Sequence, residues 1–248
     1  MEYSKGDIES HTAFFPGCAL HVLAPELSRK VFDWLQEKRY ATQQVLKCCG
    51  MPQFYEKSVG AFSKQVDSVF EVFARQRIDR VVVACPNCYR CLSDESAKTE
   101  RQVEVVALSS LLVQEGVIVD PRSLPVDSIV TIHDACPDRE EQRFAEDLRS
   151  LARELAVVEM KHSGRKTMCC GIGGPFYGES WEVKERQIDR RRNEAFDVRA
   201  THIISPCVNC TVALGKGAGS LTSTHYLELI FGEWIDRDAQ VHISNALG

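Results

Sequence analysis

The sequence predicts an α/β fold made of two tandem, duplicated βαβ-type domains, residues 1–122 and 123–248, with parallel sheets related by pseudo-twofold symmetry. Three observations predict it. Ten of the eleven cysteines form two equivalent sets of five; short apolar runs alternate with amphipathic helical patterns; and that alternation has the same order in both halves. Cys18, Cys48, Cys49, Cys85 and Cys88 make the first set; Cys136, Cys169, Cys170, Cys207 and Cys210 make the second. Each set reads Cys, then Cys-Cys-Gly, then Cys-x-x-Cys. Corresponding members stand 118, 121, 121, 122 and 122 residues apart, a near-constant shift that marks an internal duplication. The shift of 122 also pairs Phe54-Tyr55 with Phe176-Tyr177, and Asn87 with Asn209. The join is placed in the Pro-containing stretch 120–127.

In chain order, residues 12–15 read as a short strand, after which Leu23, Leu27, Val31, Trp34 and Leu35 share one helical face. Residues 44–47 lead into the first Cys-Cys-Gly. Val59, Phe62, Val66, Val69, Phe70 and Phe73 mark a stronger amphipathic helix, and residues 80–84 form an apolar, β-branched strand ending at Cys85. The second half repeats this with a strand at 129–132 and a helix marked by Phe144, Leu148, Leu151 and Leu155. Residues 157–160 then precede Cys169, a charged helix runs over 181–196, and a strand at 202–204 ends near Cys207. Sites of parallel α/β sheets gather beyond the carboxyl ends of strands. Cys18, Cys85, Cys136 and Cys207 each fall there.

Forty-four per cent apolar and 26% charged residues are globular values and exclude a disordered or fibrous chain. No run reaches the roughly 18 apolar residues of a membrane span. Residues 1–10 lack the apolar stretch of a secretory leader, so a reducing, cytoplasmic setting is expected. A net charge of −5 and a pI near 5.8 have the wrong sign for a nucleic-acid binder. Eleven cysteines in 248 residues are too sparse for a disulfide scaffold, and in a reducing compartment they point to metal or redox chemistry.

Five thiols per half bear on which metal. A structural zinc takes four ligands, and adjacent cysteines seldom both reach one small ion. A cluster has several irons, so neighbouring thiolates can bind different ones. Zinc and a vicinal disulfide remain open alternatives. Cys85-x-x-Cys88-x-x-Cys91 begins like a ferredoxin run, but Glu95-Ser96 stands where Cys-Pro should follow. Cys91 aligns with Ala213 and reads as a spare buried thiol.

The doubled pattern, from Phe15-Pro-Gly-Cys18 to His225, resembles the CCG (cysteine-rich) domain. That domain occurs in the B subunit of heterodisulfide reductase and in iron–sulfur subunits of glycolate, glycerol-3-phosphate and L-lactate oxidising systems. The resemblance implies two 4Fe–4S clusters of non-cubane type. Cys18, Cys48, Cys49, Cys85 and Cys88 would hold one; Cys136, Cys169, Cys170, Cys207 and Cys210 would hold the other. Cys49 and Cys170 are the implied catalytic positions. It further implies a subunit of a redox complex, partnered by a ferredoxin-like iron–sulfur subunit and a flavoprotein, that reduces a small disulfide. An electron relay for a lactate- or glycolate-type dehydrogenase is the alternative, and a zinc-stabilised binding module is a third reading. Many relatives read His-Asp-Pro-Cys-His where this chain has His133-Asp134-Ala135-Cys136-Pro137, which puts the substrate in question. No complete ferredoxin motif is present, so electrons are expected from another polypeptide.

Other residues carry blander expectations. Phe54-Tyr55 and Phe176-Tyr177 are expected to pack on the helices that follow them, rather than to line a cleft. Gly171, Gly173 and Gly174 read as a close backbone approach to a cluster, not a nucleotide loop. His21, His133 and His225 are expected to be ordinary satisfied histidines. The run Arg190-Arg191-Arg192 reads as a solvated helix face.

Overall fold

The computed structural model describes residues 11–98 and 103–237. The leader reading of residues 1–10 and the outer ends of both domain ranges lie outside the described residues. The first half runs β1 (Thr12–Phe15), α1 (Cys18–Leu23), α2 (Pro25–Glu37), β2 (Gln43–Gln44), α3 (Met51–Tyr55), α4 (Val59–Arg75), β3 (Arg80–Val83), α5 (Pro86–Lys98), β4 (Glu104–Ala107) and α6 (Leu108–Gln114). The second runs β5 (Val130–Ile132), α7 (Arg143–Leu151), α8 (Trp181–Asp197), β6 (His202–Ser205), α9 (Val208–Gly215), β7 (Thr222–His225) and α10 (Tyr226–Phe231). All strand pairs are parallel, giving one sheet of order β2-β1-β3-β4 and another of order β5-β6-β7. The fold is α/β, as the alternation predicts.

The helical face expected from Leu23 to Leu35 is split in two. Pro25 has no N–H with which to continue α1 and instead starts α2, which buries Leu27, Val31 and Leu35 completely. Two strands lie beyond the sequence reading, β4 and β7. The polar run Thr222-Ser-Thr-His225 hides a strand whose last three residues are buried. Among the described residues no strand corresponds to β2 in the second sheet, where Val157 makes an isolated parallel bridge to Val130.

Because every strand is parallel, the segments after β1, β3, β5 and β6 all leave the carboxyl edges of their sheets, carrying Cys18, Cys85, Cys136 and Cys207. One apolar core spans both halves: Phe14, Leu27, Leu35, Leu108 and Leu112 join Ile132, Leu148, Leu151, Ile204 and Tyr226. There α6 packs against α7 and α2 against α10. This common core holds the two carboxyl edges toward each other. Among the described residues no helix is long and apolar enough to cross a membrane.

Candidate metal centre

In the first half, Gly17 has φ +81°, and a Cβ there would stand 3.0 Å from Cys85 Cβ and 3.2 Å from Cys88 Sγ. Only glycine lets the Cys18 loop close on the Cys85-x-x-Cys88 turn. Gly50 (φ +97°) turns the chain after the vicinal pair into α3, and its N–H donates to Cys48 Sγ at 3.5 Å. The five thiols form a continuous series of hydrogen-bonding contacts: Cys18 with Cys48, Cys48 with Cys49, Cys49 with Cys88, and Cys88 with Cys85. The Cys88 thiol, with the N–H groups of Cys88 and Asn87 at the start of α5, holds Cys85 down at about 7.

The second half repeats the series. Cys136 meets Cys169, Cys169 meets Cys170, Cys170 meets Cys210, and Cys210 meets Cys207. Hydrogen bonds from Cys136 and Cys170 push Cys169 down to about 3, helped by the Gly171 N–H at 3.4 Å. Gln65 Nε2 donates to the Cys48 carbonyl at 2.9 Å, and Gln187 Nε2 to the Cys169 carbonyl at 2.8 Å. These two glutamines are themselves 122 residues apart. The shift that pairs Cys85 with Cys207 therefore pairs these glutamines too, a signal present in the sequence. Asp134 ties the Cys136 loop to the approach to Cys169. Its buried carboxylate accepts from Arg149 (2.8 and 3.1 Å) and from the Gly164 N–H (2.6 Å), and its carbonyl accepts the Thr167 hydroxyl at 2.8 Å.

The two sets meet. One cavity of about 120 Å³ is lined by Cys18, Cys49, Cys85 and Cys88 from the first and by Cys136, Cys169, Cys170, Cys207 and Cys210 from the second. Cys48 stays in contact with Cys18 and Cys49 without lining it. Cys91 also stands outside it, buried, with its thiol donating to the Cys49 carbonyl at 3.1 Å. A larger groove of about 960 Å³, bordered by Phe54, Phe62, Arg90, Arg139 and Phe176, reaches Cys136 and Cys169 from outside. Pro137 lines both spaces.

Several blander expectations need correction. Phe54 does pack on Phe62 of α4, ring centres 5.4 Å apart. Tyr55 and Tyr177 instead line the cavity, with rings 6.1 Å apart and Tyr55 Oη donating to Asn87 Oδ1 at 2.7 Å. The half-buried Tyr55 hydroxyl finds its partner in the cavity wall. At Gly171 (φ +100°) the close approach is to α8, since a Cβ would stand 2.8 Å from the Lys184 carbonyl. Gly173 and Gly174 do border the cavity. His225 is satisfied, accepting the Leu227 N–H as the cap of α10, and His21 sits half-buried at the end of α1.

The largest correction concerns α8. Arg190 is exposed, but Arg191 is fully buried and Arg192 nearly so. Arg192 donates to the carbonyls of Ala213, Leu214 and Lys216 on the α9 end. Arg191 donates to Glu194 (2.6 Å), to the His162 carbonyl (2.8 Å) and, through Nε, to His133 Nδ1 at 3.0 Å. Mixed charges one turn apart here satisfy each other inside the protein rather than in water. His133 is therefore not an ordinary satisfied histidine: its Nε2 is buried without a partner.

Each contiguous series offers five thiols, more than the four a structural zinc takes. One buried donor beside the second set, His133 Nε2, lacks an acceptor among the described residues, which an anionic group held by Cys170 and Cys210 would provide. The residues present fit an iron–sulfur group. The model of the CCG cysteine-rich domain matches twice, over residues 12–93 and 130–215. The chain belongs to the CCG cysteine-rich domain family. Among CCG relatives, lactate utilization protein A of Bacillus pumilus is 22% identical over 218 residues, covering 81% of this chain and 89% of that protein. The probable iron-sulfur-binding oxidoreductase FadF of Bacillus subtilis is 24% identical over 63% of this chain and 23% of its own. The EtfAB:quinone oxidoreductase of Syntrophomonas wolfei is 22% identical over 68% of this chain and 25% of its own. This CCG chain thus spans about a quarter of those two larger proteins. None of the three is named a heterodisulfide reductase.

Proposed function

We propose that the chain is an iron–sulfur subunit that relays electrons within a redox complex of the lactate- or glycolate-dehydrogenase type, in a reducing, cytoplasmic compartment. The observation that carries this reading is the single cavity lined by thiols of both sets. Cys18, Cys48, Cys49, Cys85 and Cys88 would hold one 4Fe–4S cluster of non-cubane type, and Cys136, Cys169, Cys170, Cys207 and Cys210 a second. Such clusters, when bound, supply one-electron carriers. The protein's part is positional. Gln65 and Gln187 pin the vicinal peptides, Gly50 and Gly171 give N–H donors to Cys48 and Cys169, and Tyr55 and Tyr177 close the space between the sets. The halves would act as domains 1–122 and 123–248 related by pseudo-twofold symmetry. A flavoprotein and a ferredoxin-like subunit would be the exchange partners. A relative matched over 81% of the chain is named for lactate utilisation, which favours the relay over disulfide reduction.

One observation favours the second reading. The groove gives a small disulfide or thiol a route to Cys136 and Cys169, at the cavity that Cys49 and Cys170 also line.

Anaerobic reconstitution tests the metal content directly. The expected result is a brown protein with about eight irons per chain. A colourless product with one or two zinc ions would sink the iron–sulfur assignment. Cys91→Ser is expected to leave iron content unchanged, whereas Cys49→Ser should lose iron, because a hydroxyl is a far poorer ligand than a thiolate. Equal losses in the two variants would refute the ligand set.

A further inference from the structure

We infer that His133, oriented by Arg191, is an N–H donor built to hold the second-half cluster at a higher reduction potential than the first. The inference rests on the iron–sulfur reading above. Arg191 is fully buried, and its Nε–H fills the Nδ1 lone pair of His133 at 3.0 Å. A guanidinium only donates, so the ring proton sits at Nε2. A protonated nitrogen cannot serve as a metal ligand. A ring nitrogen of His133 lies within 4.8 Å of the Cys170 and Cys210 thiols, and with Nδ1 occupied, Nε2 is the nitrogen free to donate to a group held there. It is fully buried and finds no acceptor among the described residues. Glu194 balances the charge of Arg191 at 2.6 Å, so the polarity delivered toward the sulfurs is chiefly that of the N–H.

The first half has no such device. β1 and β5 share one register, since Phe14 stands opposite Val82 as Ile132 stands opposite Ile204. His133 therefore corresponds to Phe15, and at the shift of 122 Arg191 corresponds to Val69 and Glu194 to Val72. Phe15 and Val69 are fully buried within an apolar cluster. The backbone donors at Gly50 and Gly171 occur in both halves and do not distinguish them. A donor to cluster sulfur stabilises the more negative, reduced form and raises the potential. The duplication has thus kept the ligands and changed the shell behind them, which makes the second-half site the electron-accepting end.

Redox titration of the anaerobically reconstituted full chain, followed by electron paramagnetic resonance, tests this. Cys48→Ala leaves the second site intact and Cys169→Ala the first, so each wave is assigned separately. The second site is expected to reduce at the higher potential. Adding His133→Phe to Cys48→Ala, in imitation of Phe15, should weaken reduction roughly tenfold or more, about 59 mV for a one-electron couple. His133→Gln, which keeps an N–H donor, should recover most of that shift. A second site at or below the first, or His133→Phe with iron retained and potential unmoved, overturns the inference and leaves the iron–sulfur reading standing. If His133→Phe fails to retain iron, the order of the two waves and the glutamine variant decide. A wild type without iron sinks both.

Discussion

Cys48→Ala and Cys169→Ala are each expected to keep about half the wild-type iron and to lose electron transfer between donor and acceptor by on the order of 10²-fold or more. Each cysteine contacts two neighbours in its thiol series, so its loss removes a ligand from the middle of one set only. The other set keeps all five thiols. Yet both sets line one cavity, an arrangement suited to carriers acting in series rather than in parallel. Groups that work as one unit show this non-additivity: losing either costs nearly as much as losing both. The measurement is donor-driven reduction of an artificial acceptor beside iron content for each variant. One variant keeping most of the activity would place its cluster off the path. The same samples assayed with a small disulfide separate the two functional readings, because only the reductase should turn it over, and then only with both sets intact. A negative wild type is repeated with a reduced flavoprotein or ferredoxin-type donor.

Arg191→Leu is expected to destabilise the chain by about 3–5 kcal/mol, the scale for removing one partner of a buried ion pair. Arg191 is fully buried, and the Glu194 side chain is only 10% exposed. Leucine would leave that carboxylate with His162 as its remaining side-chain partner, and it would strip the acceptor Nδ1 of His133 and the His162 carbonyl of their donor. The exposed neighbour serves as control: Arg190→Leu should stay within about 0.5 kcal/mol of wild type. Urea unfolding midpoints of the anaerobic chain measure both. Similar midpoints for the two variants would mean that Arg191 is not part of a buried network.

How far the sequence could be read depended on which periodicity carried the signal. The duplication and the parallel strands were legible because thiol spacing and apolar alternation each mark them independently. β7 was not, because Thr222-Ser-Thr-His225 is polar throughout although its last three residues are buried, and a polar strand has no apolar alternation to detect. The Arg190–Arg192 run misled for a related reason. Charge composition says nothing about which face of a helix turns inward, and the partners that admit Arg191, namely His133 and the His162 carbonyl, are 58 and 29 residues away. On α3, Tyr55 lines the cavity whereas Phe54 packs on Phe62 and borders the outer groove, a difference between adjacent aromatic positions that residue type alone does not show. The duplicated motif leads one to expect both cysteine sets to face a cleft between the halves, and both sets do line one cavity; the apolar core that joins the halves brings them there.

That common core has a thermodynamic consequence. With Phe14, Leu27 and Leu108 packed among the same side chains as Ile132, Leu148 and Tyr226, neither half covers its own apolar face. Severed from its twin, each would present that face to water, so the folding of the two domains is coupled through it. Metal uptake then becomes communal. Ligand that binds only the folded form deepens the folding free energy of everything that melts with it. The first cluster to enter would therefore brace the still-empty partner site as well as its own, and loss of one would loosen the scaffold on which the other depends.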